Sequence, residues 1–227
     1  MKKTPPVILS AIMALWIPFT AAAQDTHAAP AAQPAEPTTT VQSAPSEVDY
    51  SILPEPMAFA KAQYAEALRL NALPASTQRD DQIRAFVDKL IDYDDYAKRS
   101  LGTRWNELDT PKQAEFQSLF RELIELTYLK RLSDKAFKDN YKIDWDRVVK
   151  TRTSATVSCF TQQKDVETEL EIVLHAVQNQ WNIHDTLVDG ASLVQTYQKK
   201  YAKKWDDKGI DAIMDDMKKE IETLKKK

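Results

Sequence analysis

The sequence predicts an α+β fold in which a twisted antiparallel sheet is embraced by several helices. Three observations lead there. Apolar residues recur at helical spacing from Pro56 to about Leu132. After Asp144 the period drops to two, as strands require, and after Gly190 it becomes helical again. The strand segments are joined by short polar turns, which link neighbours antiparallel, and helices grouped before and after them give α+β rather than α/β. No repeat is visible at a period of roughly 20–50 residues, so a solenoid is excluded.

The 227-residue chain opens with Met1-Lys2-Lys3, an apolar run from Val7 to Phe19, and Ala21-Ala22-Ala23. This is the pattern of a secretory signal peptide, residues 1–23, cleaved near Ala23. The stretch from Val7 to Ala23 is at the short edge of what spans a bilayer and carries Pro18 near its end. No cysteine stands directly after it, where a lipid anchor would be attached, so a cysteine-anchored lipoprotein is excluded. Residues 24–48 are rich in Ala, Pro and Thr without periodic apolar positions and are expected to be a disordered spacer, in which His27 is inert. The folded domain is placed at 49–227.

Pro56 to Leu73 predicts a first helix with Met57, Ala60, Tyr64, Ala67, Leu68 and Leu73 on one face, ended by Asn71 and Pro74. Thr77 to Asp92 predicts a second, striped by Ile83, Phe86, Val87, Leu90 and Ile91. Asp94-Asp95 can cap a short third, Tyr96 to Leu101, which Gly102 closes. A connector carrying Trp105 leads to Thr110-Pro111-Lys112-Gln113, where Thr110 can cap and Gln113 complete a capping box. The helix that follows runs to about Leu132, with Phe116, Leu119, Phe120, Leu123, Ile124, Thr127 and Tyr128 as a wide apolar face. Such a face is ordinary core or one wall of a cavity, and spacing alone favours core.

Arg147–Ser154 predicts one strand, continued or restarted over Ala155–Thr161 with Ala155, Val157 and Cys159 on one side. Gln162–Asp165 is a polar turn. Val166–Val177 alternates, with Leu170, Ile172, Leu174 and Ala176 inward and Glu167, Glu169 and Glu171 outward. After Gln178–Gln180 comes the Trp181 strand, whose alternation places Asp185 on the side of Trp181 and Ile183, where a lone carboxylate most naturally caps a turn. Asp189-Gly190 turns the chain into a helix bearing Leu193, Val194, Tyr197 and Tyr201, and a last helix opens after Gly209 with Ile213, Met217, Ile221 and Leu224. Residues 192–227 carry ten basic and seven acidic side chains, most simply a solvated face, otherwise a surface for anionic headgroups.

Composition excludes several functions. Loss of Lys2 and Lys3 with the leader takes two from 31 basic residues against 34 acidic, leaving about five net negative charges, unlike a nucleic-acid binder. Three glycines in all, Gly102, Gly190 and Gly209, cannot build a Walker A or Rossmann phosphate loop. A single cysteine, Cys159, excludes an internal disulfide and a cysteine-rich zinc site. His184 and Asp185 are adjacent on a strand and point apart. His175 and His184 can meet across a hairpin, but two ligands make a poor metal site. No catalytic residues, metal or cofactor are expected. A hydratase- or isomerase-type enzyme on a small cone fold and a non-enzymatic interaction module remain the alternatives.

The order W-x-I-x-D, D-G-x-S-L-V, T-Y and G-I-D-x-I across Gln180–Ile213 resembles the C-terminal motif of MlaC-type periplasmic phospholipid-binding proteins, the toluene-tolerance auxiliary components of ABC transport systems. Tyr93 to Gly102, Trp105, Thr110-Pro111 and the Phe116…Phe120…Leu123…Tyr128 spacing are similar to the family's central motif, so the resemblance spans roughly 55–225. The chain departs from the family in its long spacer, in the uncertain register of 147–161 and in His184, where an aromatic is frequent. The resemblance implies a nuclear-transport-factor-two-like sheet wrapped by helices, with acyl chains inside and the headgroup in solvent. It also implies the periplasm, and phospholipid passed between an inner-membrane ABC transporter with an MCE-domain subunit and an outer-membrane lipoprotein–porin complex, maintaining outer-membrane lipid asymmetry. The expected lipid-facing residues are Phe116, Phe120, Leu123, Ile124 and Tyr128 on the long helix, Val157, Leu170, Ile172, Leu174, Ile183 and Leu187 on the sheet, and Leu193, Val194 and Tyr197 after it. The physics agrees in kind. At roughly 0.8 kcal/mol per methylene, an acyl chain of about 16 carbons resists water by on the order of 12 kcal/mol, so a carrier must enclose it.

Overall fold

The computed structural model describes residues 47–133, 142–163 and 166–226. The leader and nearly all of the spacer, His27 included, lie outside the described residues. Val48, assigned to the end of the spacer, belongs to the fold. Its side chain is buried and its N–H donates to Arg152 O at 2.6 Å.

Helix α1 spans Pro56–Ala72, with proline in the first turn where its missing N–H costs nothing. It buries Ala60, Ala67 and Leu70, whereas Leu68 is exposed. Leu68 was expected on the inner face, but one residue turns a helix by about 100°, and the inner face is fixed by Ala67 and Leu70 on either side. Helix α2, Thr77–Leu90, is capped by Ser76, and its stripe Ile83, Phe86, Val87, Leu90 with Ile91 beyond its end is buried as expected.

Helix α3 spans Tyr93–Leu101, longer than expected, because Asp92 rather than Asp94 or Asp95 caps it, accepting from Asp95 N at 3.0 Å. It ends at Gly102, from which a 3-10 helix, Gly102–Glu107, carries the buried Trp105. Helix α4, Thr110–Ser133, is likewise capped one residue earlier than expected. Asp109 Oδ1 accepts from Lys112 N at 2.9 Å, and Gln113 reaches back to the Trp105 and Leu108 carbonyls instead of closing a box with Thr110. A carboxylate is the stronger acceptor for helix N–H groups.

The sheet is a meander in the order β1-β2-β3-β4-β5, antiparallel throughout. Its strands are β1 (Lys142–Lys150), β2 (Ser154–Gln163), β3 (Val166–Val177), β4 (Gln180–Val188) and the short β5 (Ala191–Ser192). The expected strand over 147–154 is thus split. Thr151 Oγ1 accepts from Thr153 N and Ser154 N and folds the chain into a hairpin turn at that point. Asp189 and Gly190, both at positive φ, make the tight turn from β4 to β5. Helix α5, Leu193–Lys225, is interrupted at Gly209 (φ 75, ψ 179), which is where the last helix was expected to open.

Apolar side chains gather in three clusters. The largest lies among the helices and joins α2, α3, α4, both halves of α5 and, through Ala67 and Leu70, the end of α1. A second lies on the sheet under α1 and the segment before it, with Val48, Leu53 and Ala60 against Ala155, Val157, Leu174 and Trp181. A third joins Cys159, Leu170 and Val188, with Tyr64 of α1 against it. Phe59 and Ile183 touch both of the first two, so they are the joint between the helical core and the sheet.

Candidate functional site

The candidate site is the apolar face of the sheet and what covers it. Strand alternation and the register place Val148, Ala155, Val157, Cys159, Leu170, Ile172, Leu174, Trp181 and Ile183 on one face. Ala155, Val157, Cys159, Leu170 and Leu174 are fully buried there, and Ile172 is half-buried.

A bulge in β4 then changes the pattern. Leu174 pairs with Ile183 but Val173 pairs with Asp185, so His184 is an extra residue. Beyond it the parity flips. Thr186 and Val188 join the apolar face, opposite Ile172 and Leu170, while Asp185 and Leu187 pair with Val173 and Glu171 on the other. This corrects two expectations. Asp185 does not share a face with Trp181 and Ile183, and Leu187 is turned away from the face that Leu170 and Ile172 present. An inserted residue shifts everything after it, and unbroken alternation could not reveal it.

Asp185 performs the local role expected of it. Oδ1 accepts from Thr186 N at 2.8 Å and Val194 N at 3.2 Å, and Oδ2 accepts from Ser192 Oγ at 2.5 Å. With Ser192 capping Gln195 N, it fixes the start of α5 on the end of β4. Trp181 ties the opposite end, donating from Nε1 to Pro54 O at 2.8 Å and packing against Tyr50 at 5.7 Å between centroids.

The expected lipid-facing residues divide between clusters. Phe116, Phe120, Leu123, Ile124 and Tyr128 of α4 and Leu193, Val194 and Tyr197 of α5 are all buried. All but Leu193 belong to the helical cluster, where Phe116, Phe120, Tyr96, Tyr197 and Tyr201 form edge and stacked ring pairs 5.3–6.3 Å apart. Val157, Ile172 and Leu174 lie in the cluster beneath α1, and Leu170 in the third. Ile183 alone of the set touches both halves. The residues that meet the sheet face are Met57, Phe59, Ala60 and Tyr64 of α1, with Tyr64 edge-on to Trp145 at 6.3 Å. Sequence reasoning saw the α1 stripe but had no signal for which helix covers which face.

Several polar atoms are buried in or beside this interface without a partner among the described residues. They include Thr186 Oγ1 on the sheet face and the hydroxyls of Tyr197 and Tyr201 in the helical core. Burial drives both tyrosine pKa values far up, so these hydroxyls stay neutral. The same cause pushes the Cys159 thiol up to about 12, which keeps it protonated and unreactive.

On the other face His175 and His184 do approach. Their rings stack at 3.6 Å, 8° from parallel. Burial, then the charges of His184 and Arg99, pull the His175 pKa down to about 4. Burial also disfavours the charged Asp95 carboxylate, but its hydrogen bond to His184 and the Arg99 charge outweigh that and hold it at about 2. Arg99 donates to Asp95 and to His184 O at 2.6 Å each, so this group ties α3 to β4. Among the described residues no three His, Cys, Asp or Glu side chains gather in a metal-binding group, and no helix is long and apolar enough to cross a membrane.

Fold and site thus define an α+β protein whose antiparallel meander turns an apolar face toward a covering of helices. The chain belongs to the MlaC family, whose model, described as MlaC protein, matches residues 63–219. Among solved structures it is similar to the phospholipid-binding protein from Ralstonia solanacearum, solved in complex with a phospholipid. The TM-score is 0.59 at 17% identity, covering 75% of this chain and 99% of that one. A comparison with curated proteins finds no match.

Proposed function

We propose that this chain is a phospholipid-binding protein that acts by enclosure and not by catalysis. One observation carries the reading. The apolar face of the meander, from Val157 through Leu170 and Leu174 to Ile183, is covered by α1 and the segment before it, at a seam between separate apolar clusters. A neighbour of the same fold was solved holding a phospholipid. Acyl chains enter along that seam, bounded by Phe59, Tyr64 and Ile183, and the headgroup stays in water. The alternative, an enzyme, draws no support from Cys159, which is protonated, or from Asp185, whose oxygens are engaged in capping α5.

Family membership supports the finer reading. The chain is exported by its signal peptide, cleaved near Ala23, and residues 24–46 serve as a spacer ahead of the lipid-binding domain. It works in the periplasm, taking phospholipid between an inner-membrane ABC transporter with an MCE-domain subunit and an outer-membrane lipoprotein–porin complex. That traffic maintains outer-membrane asymmetry.

The test is solvent extraction of the purified protein, with bound lipid weighed by mass spectrometry. Phospholipid is expected in the parent and in Val149→Asp, which alters an exposed outward position, and is expected to be lost in Ile172→Asp. A folded Ile172→Asp protein that keeps its lipid overturns the assignment of the pocket. A parent that holds none and gains none from vesicles overturns the function.

A further inference from the structure

A second cleft lies away from the sheet, where the start of α2, the end of α4 and the end of α5 converge. It encloses about 610 Å³, within the range of small-molecule sites. Four of its lining side chains are cationic, Arg79, Arg84, Lys130 and Lys225, against one carboxylate, Asp80. Its apolar part is Leu126, Leu129 and Leu224.

Arg79 is the unusual member. Its side chain is 9% exposed, yet among the described residues its one ion pair is a 3.3 Å contact with Asp80. Nη2 donates to Ser133 Oγ at 2.5 Å, and Nε is buried with no partner among the described residues. A buried guanidinium is costly unless an anion and hydrogen bonds compensate it. The other cations are only partly neutralised. Arg84 meets Glu125 at 3.5 Å, and that carboxylate is engaged more closely by Arg121 at 2.6 Å. Lys225 pairs with Glu122 at 2.8 Å, and Lys130 has no ion pair among the described residues.

We propose that this cleft binds a phosphate- or carboxylate-type anion, held by Arg79 with Arg84 and Lys130, with the three leucines seating an alkyl tail where the anion carries one. Guanidinium groups match the planar, two-oxygen geometry of such anions. The site is separate from the sheet seam. It stands or falls independently of the lipid-carrier reading.

The experiment titrates the full chain, by methyl NMR, with inorganic phosphate and, in parallel, with dodecyl phosphate below its micellar concentration. The methyls of Leu126, Leu129 and Leu224 report on this cleft, and those of Ile172 and Leu174 on the sheet seam. Saturable shifts at the first group are expected, with Arg84→Gln and Lys130→Gln each weakening binding about tenfold, as loss of one charge-assisted contact implies. Both substitutions lie at the accessible rim, so they avoid the packing of Arg79. Dodecyl phosphate binding well above inorganic phosphate supports the site with a lipid-like anion as its source, and equal binding supports it with a free anion. No shift at Leu126, Leu129 and Leu224 with either probe overturns it, as does binding that Arg84→Gln and Lys130→Gln leave unchanged.

Discussion

Asp185 shows what a single side chain can and cannot reveal from sequence. Its role as a local cap was legible, because a lone carboxylate before a turn and a helix start has few other uses. Its face was not, because one bulged residue, His184, reversed the parity. Asp185→Ala removes two hydrogen bonds at the start of α5 and one within β4 and is expected to cost about 1–2 kcal/mol, read as a lower urea midpoint at constant m-value. His175 gives a pH signature. Its folded pKa, about 4, lies below the ordinary 6.5, so the unfolded chain binds the proton first. Stability therefore rises with pH between about 4 and 6.5 and is lost on acidification through that window. Because the ring is partly exposed, the effect is on the order of 1 kcal/mol after screening. His175→Asn should flatten the stability profile over that window, and an unchanged slope would show that another group carries it. Asp95, depressed to about 2, contributes stability that is lost only below about 4, so the two are separable by titration.

Secondary structure elements were read well where periodicity was long and less well where it was short or interrupted. The four main helices and the alternation of β3 followed from apolar spacing alone. The caps of α3 and α4 were displaced because aspartates stand close together before α3 and just ahead of Thr110, and only geometry decides which reaches the free N–H groups. The split of β1 from β2 rests on Thr151, whose side chain mimics a backbone turn without glycine or proline. Gly209 shows why α5 bends. Its φ of 75 with ψ near 180 is a region that side chains other than hydrogen rarely occupy. No atom lies within 4 Å of an added Cβ, so the penalty is conformational and not steric crowding. Gly209→Ala is expected to lower stability by about 1–3 kcal/mol, seen as a lower thermal midpoint, with the helical signal in circular dichroism preserved.

For the whole molecule, fold class and the sequential meander were legible because strands linked by short turns leave few arrangements. The composition of the seam was not. Phe116, Phe120 and Tyr197 are as apolar as a pocket wall should be, but they face one another among the helices, while Phe59 and Tyr64 meet the sheet. Periodicity says that a helix has a buried face and is silent about the partner of that face. The meander also has a consequence in time. All its pairings join neighbouring strands, so it can form while the polypeptide is still growing. The helical cluster cannot. Tyr197, Tyr201, Ile213, Met214, Met217 and Ile221, which complete it, arrive with the final 33-residue helix. A chain terminated before Leu193 is expected to bind the dye ANS and to lose its near-ultraviolet circular dichroism while keeping strand signal. Until α5 is made the helical cluster lacks one whole side, so the order of synthesis itself keeps the core open until the sheet is already in place.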